Sequence, residues 1–175
     1  MVPDPLALPG ELPLDPAERD RLAQLLAGLL ERVPALYDAL PWQVTHGDCA
    51  PSNVLMDEDG VTGLLDFEFV AGDLRAIDFA IGLFFFAGDA WRRGQGWEQA
   101  EAFSAGYAAR VQLAPAEVAA LPVLLRLREA CVVIHLASRH RQGLVPLAKV
   151  HARIRHALWL DEWLRAPTAM SWSSA

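Results

Sequence analysis

Between Pro41 and Val70 the helical periodicity of the rest of the chain breaks off, and this interruption constrains the fold more than any other feature. Trp42-Gln43-Val44-Thr45 alternates apolar and polar residues as a short strand does. Val54-Leu55-Met56 and Val61-Thr62-Gly63-Leu64-Leu65 flank the acidic turn Asp57-Glu58-Asp59-Gly60, which is the spacing and turn chemistry of a β-hairpin. Both flanks read as helix. The expected fold class is therefore α+β, mainly α, with one small irregular β region at residues 42–70 whose loops are presented by packed helices.

Asp15-Pro16-Ala17-Glu18 reads as a helix start, with Asp15 as N-cap, Pro16 at the first helical position and Glu18 at the capping-box position. Leu22, Leu25, Leu26, Leu29, Leu30 and Val33 follow at helical spacing, and Pro34 is expected near the end, before a second short piece from Ala35 to Leu40. Further helices are expected over Asp78 to Gly88, Trp97 to Arg110, Pro115 to Gln142 with a candidate break at Pro122, and Pro146 to Leu164. Residues 1–14, proline-rich and without periodicity, read as a leader or linker. Residues 15–165 read as the domain and residues 166–175 as a flexible tail.

The 175 residues are 53% hydrophobic, which excludes disorder, and carry a net charge of −7. That sign argues against a nucleic-acid partner, whose contact surface is basic. Arginines gather in residues 126–165 and read as solvated helix faces. The most apolar run, Phe79 to Gly88, is bounded by Asp78 and Asp89 and falls well short of the roughly 20 residues a membrane-spanning helix needs. The start has no basic, apolar signal pattern, and two cysteines make no disulfide framework. A cytoplasmic protein without a membrane partner is expected.

Chemistry concentrates in the β region. His46-Gly47-Asp48-Cys49-Ala50-Pro51-Ser52-Asn53 places an aspartate and an asparagine five apart around Pro51, which suits a tight loop. Asp66-Phe67-Glu68 follows the second hairpin strand, so the hairpin returns Asp66 close to Asn53. The two are expected to lie buried near one another. Oxygen donors at both ends of a hairpin suit Mg²⁺, which keeps several waters and takes one or two protein ligands beside substrate phosphates. Asp48 is then left to orient or deprotonate a hydroxyl.

HGDCAPSN, then LLDFEF, then DLRAIDFA resembles the catalytic core of the protein-kinase-like phosphotransferases. Within them it is similar to the small-molecule branch of aminoglycoside phosphotransferases, choline kinases and type II homoserine kinases. Phe103-Ser104-Ala105-Gly106-Tyr107 resembles an F-x-x-G-Y segment of the same superfamily. The resemblance implies ATP as phosphoryl donor and a small-molecule hydroxyl as acceptor, homoserine-, choline- or aminoglycoside-like, with DFEF and DLRAIDFA leaning toward homoserine. It makes Asp48 the catalytic base or orienting group, with His46 supporting the loop. Asn53 and Asp66 would hold Mg²⁺ on the nucleotide, Glu68 and Asp73 would line the acceptor pocket, and Asp78 would brace the catalytic loop through backbone N–H groups.

Kinases of this type also use a glycine-rich loop and a strand lysine on an N-terminal lobe. Before His46 the glycines are Gly10 and Gly28, and the single lysine is Lys149. The resemblance is thus to a C-terminal lobe, weak or inactive alone, whose open side would expose apolar surface to a missing N-terminal lobe or to a second copy in a homodimer. The alternative is a non-catalytic helical module, derived from that fold, that binds a ligand or partner. A metal-dependent hydrolase built on His46, Asp48 and Asp66 lacks identifiable further ligands.

Other residues have ordinary readings. Cys49 lacks a placed basic partner and reads as a small packed residue. His135 and His140, like His151 and His156, are five apart, against the three or four that helical metal ligands favour. Phe84, Phe85 and Phe86 read as core with one ring near the acceptor pocket, and Trp159 and Trp163 as a packing stripe.

Overall fold

The computed structural model describes residues 3–91 and 93–166. Among the described residues the elements run in the order α1 (Leu8–Glu11), α2 (Pro16–Ala39), β1 (Trp42–Thr45), a 3-10 turn (Pro51–Asn53), β2 (Val54–Asp57), β3 (Gly60–Leu64), β4 (Ala71–Leu74), α3 (Arg75–Trp91), α4 (Trp97–Ala108), α5 (Pro115–Arg141) and α6 (Leu147–Trp163). The architecture is α+β and mainly α. The chain divides into two compact units, one drawn from Met1–Leu36 and Arg126–Ala175, the other from Tyr37–Leu125.

In the first unit α2 begins where its capping signal lies, with the Glu18 N–H donating to the Asp15 carboxylate at 2.9 Å. Leu22, Leu25, Leu26 and Leu29 of α2 are buried, as are Val133, Val150, Ile154 and Leu160 of α5 and α6. The proline-rich start carries α1 and buries Leu8, Leu12 and Leu14, an apolar spacing that the intervening prolines obscure in the sequence. Glu129 is almost fully enclosed and accepts from the His156 ring at 2.9 Å, from the Arg153 guanidinium at 2.7 Å and from Arg128. Apart from Ala166, the expected tail lies outside the described residues.

Two helices continue through prolines at which the sequence suggested an end or a break. Pro34 lies inside α2 and Pro122 inside α5. Pro34 and Leu30, whose carbonyl loses its helical partner, both face solvent, where water replaces the missing bond. Around Pro122 the buried Leu121, Leu124 and Leu125 supply packing that outweighs the roughly 3 kcal/mol a helical proline costs.

The second unit contains two antiparallel pairs, β1 with β4 and β2 with β3. The hairpin closes as its turn chemistry implies, with Asp57 opposite Gly60 and the Asp59 N–H on the Asp57 carboxylate at 2.9 Å. Strand β4, Ala-Gly-Asp-Leu, is a pairing that the sequence reading lacked: four residues with a glycine and no alternation carry no strand signal. Helix α3 packs on β1, β4 and α4. At the α3–α4 crossing a Cβ on Gly82 would come within 2.5 Å of the Phe103 ring, so any larger residue there would have to push that ring aside.

Apolar residues of the strands and of the loop between β3 and β4 are uncovered. Val44 is 76% exposed, Met56 69%, Val61 67% and Phe67 60%, and Trp42 and Phe69 are also exposed. Trp42, Val44, Met56 and Val61 lie in strands as the sequence reading expected, but the usual corollary of a strand signal, a buried face, does not hold here.

Candidate active site

Strand β1 delivers the chain to the site. Thr45 is buried opposite Ala71, and its hydroxyl donates to the Ala71 carbonyl at 3.3 Å. The backbone then turns at Gly47, whose φ of +76° lies in the left-handed region and where a Cβ would stand 2.8 Å from the Phe69 carbonyl oxygen. Both facts demand glycine. Gly47→Ala is expected to lower stability by about 1–3 kcal/mol, read as a reduced thermal midpoint. An unchanged midpoint would count against the tight turn.

One carboxylate organises that turn from α3. Asp78 accepts the His46 N–H on Oδ2 and the Gly47 N–H on Oδ1, each at 3.0 Å. The His46 ring is committed at both nitrogens. Nε2 donates to the Leu65 carbonyl at 2.9 Å, and Nδ1 accepts the Asp48 N–H at 3.3 Å, which fixes the Nε2-protonated neutral tautomer. His46 is buried, with its ring edge-on to Phe67 at 5.2 Å, and it ties the loop to the end of the hairpin.

Asn53 closes the loop from its other end. Its side-chain NH₂ donates to the Asp48 carbonyl at 2.9 Å and to Asp48 Oδ2 at 3.0 Å. Its amide oxygen therefore points away from Asp48 and accepts the Ser52 hydroxyl at 3.5 Å. The Asn53 carbonyl accepts the Leu65 N–H at 2.8 Å, which puts Asp66 one residue beyond the pairing that continues the β2–β3 ladder. Asp66 has a φ of 62°, a conformation that is strained for a residue other than glycine and that concentrates at functional sites. The expectation that both groups are buried is corrected for Asp66. Asn53 is buried, but Asp66 is exposed because nothing in the unit covers the hairpin end.

Glu68 is exposed close by. Asp73, on β4, is engaged within the fold, where its Oδ1 accepts the Tyr37 hydroxyl and the Leu74 N–H, each at 2.7 Å. Tyr37 carried no sequence signal, because its partner is known only once β4 is placed. The same holds for Arg75 and Glu117. The fully buried Glu117 accepts from the Arg75 Nε at 3.0 Å and from the Ala114 N–H at 2.8 Å, so one carboxylate fastens the start of α3 to the start of α5. Burial pushes Glu117 up, but the Arg75 hydrogen bond, the Ala114 N–H and the Arg75 charge outweigh it, so its carboxyl ends below the ordinary range. Cys49 moves the other way. Burial, then Asp78 and Asp48, raise its thiol, which keeps it protonated and a poor nucleophile.

Among the described residues no three His, Cys, Asp or Glu side chains gather into a metal cage. The donors present are the fixed amide oxygen of Asn53 and the exposed carboxylate of Asp66. That set fits Mg²⁺ shared with waters and phosphate oxygens, and not an ion enclosed by protein.

Residues 5–121 match the phosphotransferase enzyme family. The chain belongs to that family. Curated phosphotransferase relatives include the homoserine kinase of Methylorubrum populi, 43% identical over 90 residues, half of this chain and 27% of that protein. The homoserine kinase of Phenylobacterium zucineum is 38% identical over 115 residues, covering 63% of this chain and 33% of its own length. That of Bradyrhizobium is 34% identical over 135 residues, 70% of this chain and 40% of its own. The chain thus spans between about a quarter and two fifths of the relatives it matches. In the phosphotransferase F-x-x-G-Y segment, Phe103 and Tyr107 lie one helical turn apart, and both rings pack on Phe79 of α3, at 5.5 and 4.9 Å. No described helix is long and apolar enough to cross a membrane.

Proposed function

We propose that this chain carries the acceptor- and metal-binding half of an ATP- and Mg²⁺-dependent kinase for a small-molecule hydroxyl. The observation that carries this reading is the Asp48–Asn53 clasp, which turns the Asn53 amide oxygen away from Asp48 and holds the Asp48 carboxylate at the loop, while the Asn53 carbonyl accepts the N–H of Leu65, the residue before Asp66. Asp48 accepts the acceptor hydroxyl's proton or orients it, and Asn53 and Asp66 hold the ion. Bound Mg²⁺ supplies charge neutralisation on the phosphate oxygens. His46 and Asp78 keep the loop in register. Homoserine is the favoured acceptor because the relatives bear that name, with choline-like and aminoglycoside-like hydroxyls as the wider class, and exposed Glu68 is the candidate to meet an acceptor's ammonium group. Asp73 serves there only if it exchanges its Tyr37 bond.

Metal binding tests the assignment without turnover. Titration with Mn²⁺ is expected to show weak binding that Asp66→Asn reduces about tenfold, as loss of one anionic ligand implies. Asp48→Asn is expected to retain most of the affinity, since an asparagine oxygen at 48 still accepts from Asn53. Equal affinity in the unsubstituted protein and Asp66→Asn would remove Asp66 from the site. The exposed strand residues favour a second reading, a non-catalytic module whose apolar face receives an N-terminal lobe or a second copy. Metal affinity indifferent to Asp66, together with self-association, would favour that reading.

A further inference from the structure

Glu117 is fully buried, and both of its oxygens are engaged. Oε1 accepts from Arg75 Nε at 3.0 Å, and Oε2 accepts from Arg75 Nη2 and, at 2.8 Å, from the Ala114 N–H. Guanidinium and carboxylate thus meet as a two-point fork, which fixes a direction as well as a distance. Arg75 also donates to the Gln112 carbonyl at 3.4 Å, so the same side chain holds the segment leading into α5.

Arg75 opens α3, and the first turn of that helix bonds the chain on both sides of β1. Before the strand, the Arg75 N–H donates to the Pro41 carbonyl at 2.9 Å. After it, Asp78, three residues along α3, accepts the His46 and Gly47 N–H groups at 3.0 Å each. Those two bonds require each carboxylate oxygen to face its own amide. Gly47 has little slack on its other side, where a Cβ would already stand 2.8 Å from the Phe69 carbonyl oxygen. A tilt of the first turn of α3 therefore reaches the loop directly. A buried ion pair adds little net stability over well-packed apolar residues, so stability alone does not account for a fork at this place. We infer that Arg75 and Glu117 are positioning residues: their fork, anchored at the start of α5, sets the tilt of the first turn of α3 and so holds Asp78 in register with the His46–Asp48 loop.

The inference rests on the proposed function only for what the loop is held to do, which is to present Asp48. Its test contains neither nucleotide nor metal, so its failure and the failure of Asp66-dependent metal binding are separate results. Amide hydrogen exchange is measured by NMR in the unsubstituted chain, Glu117→Gln, Asp78→Asn and the double variant. Glutamine at 117 keeps the volume but loses the charge-assisted fork. Glu117→Gln is expected to reduce protection at the His46 and Gly47 amides roughly 2- to 12-fold, the span of one net hydrogen bond. Amides of α4 and of the later turns of α3 should keep theirs. Adding Glu117→Gln to Asp78→Asn is expected to change the two loop amides little further, because the clasp through which the fork acts is already broken. Unchanged protection at both amides, a uniform loss across the unit, or full additivity in the double variant would each overturn the proposal. If Glu117→Gln does not fold, Arg75→Lys decides from the partly exposed side of the pair. Lysine keeps the charge beside Glu117 but not the planar fork, so the same two amides should lose protection, and no change at them would overturn the proposal.

Discussion

Glu129→Ala is expected to destabilise the protein by about 3–5 kcal/mol, the range for breaking a buried ion pair from one side. The carboxylate is 1% exposed and is shared by Arg128, Arg153 and His156, so its removal leaves a surplus of positive charge in a packed interior. Glu129→Gln keeps the volume and is expected to lose less. The pH dependence follows from the same geometry. Burial raises the carboxyl, but the His156 hydrogen bond and the Arg153, Arg128 and His156 charges overcome it, and the folded value ends below the ordinary 4.5. A depressed carboxyl stabilises the fold above the unfolded value, and that contribution fades as pH falls through the folded value. Urea denaturation at pH 7 and below pH 4 should thus show the gap between Glu129→Gln and the unsubstituted protein narrowing in acid. A loss under about 1 kcal/mol for Glu129→Ala at neutral pH would show that the cluster is weakly coupled to folding.

Phosphoryl transfer by residues 1–175 alone is expected to be slow or absent. Transfer depends on positioning and charge neutralisation, and good orientation of reactants is worth up to about 7–11 kcal/mol of barrier. In the proposed reading Asp48, Asn53 and Asp66 address the ion and the acceptor. Within these 175 residues, no glycine-rich loop precedes His46, and the lone lysine stands on α6 at Lys149. A lobe supplying those parts, fused or added in trans, should restore turnover with homoserine, and Asp48→Asn should then reduce it by about 10²–10⁴, the usual share of a general base. The readout is ADP formation against a panel of homoserine, choline and aminoglycosides. Brisk turnover by residues 1–175 alone, abolished by Asp48→Asn, would show that this half positions the nucleotide by itself.

Local signals in the sequence mapped onto the structure where the physics is local. The Asp15 cap, the Asp57–Gly60 turn and the helix starts at Trp97 and Pro115 depend on neighbouring residues, and they stand where the pattern put them. Strand β4 was not legible, because Ala71–Leu74 becomes a strand only by pairing with β1. The continuity of α2 and α5 through proline was hidden for a related reason, since solvent access and packing, rather than propensity, decide it. In the site, the motif spacing picked out His46, Asp48, Asn53 and Asp66. It did not show that Asn53 is clasped by Asp48, that His46 reaches the Leu65 carbonyl or that Tyr37 engages Asp73. Those contacts join positions distant in the chain, or depend on rotamers that spacing does not encode.

The exposed strand residues also carry an expectation for how copies of the polypeptide behave toward one another in solution. At a net charge of −7 they repel in dilute buffer. That repulsion reaches about 10 Å at 0.1 M ionic strength and about 3 Å at 1 M. Salt therefore removes the barrier while leaving the attraction between apolar patches, and sulfate strengthens it. Colloidal stability should fall as ionic strength rises, the reverse of an assembly held by ion pairs, and dilute buffers are the medium in which Val44, Met56 and Val61 do least harm.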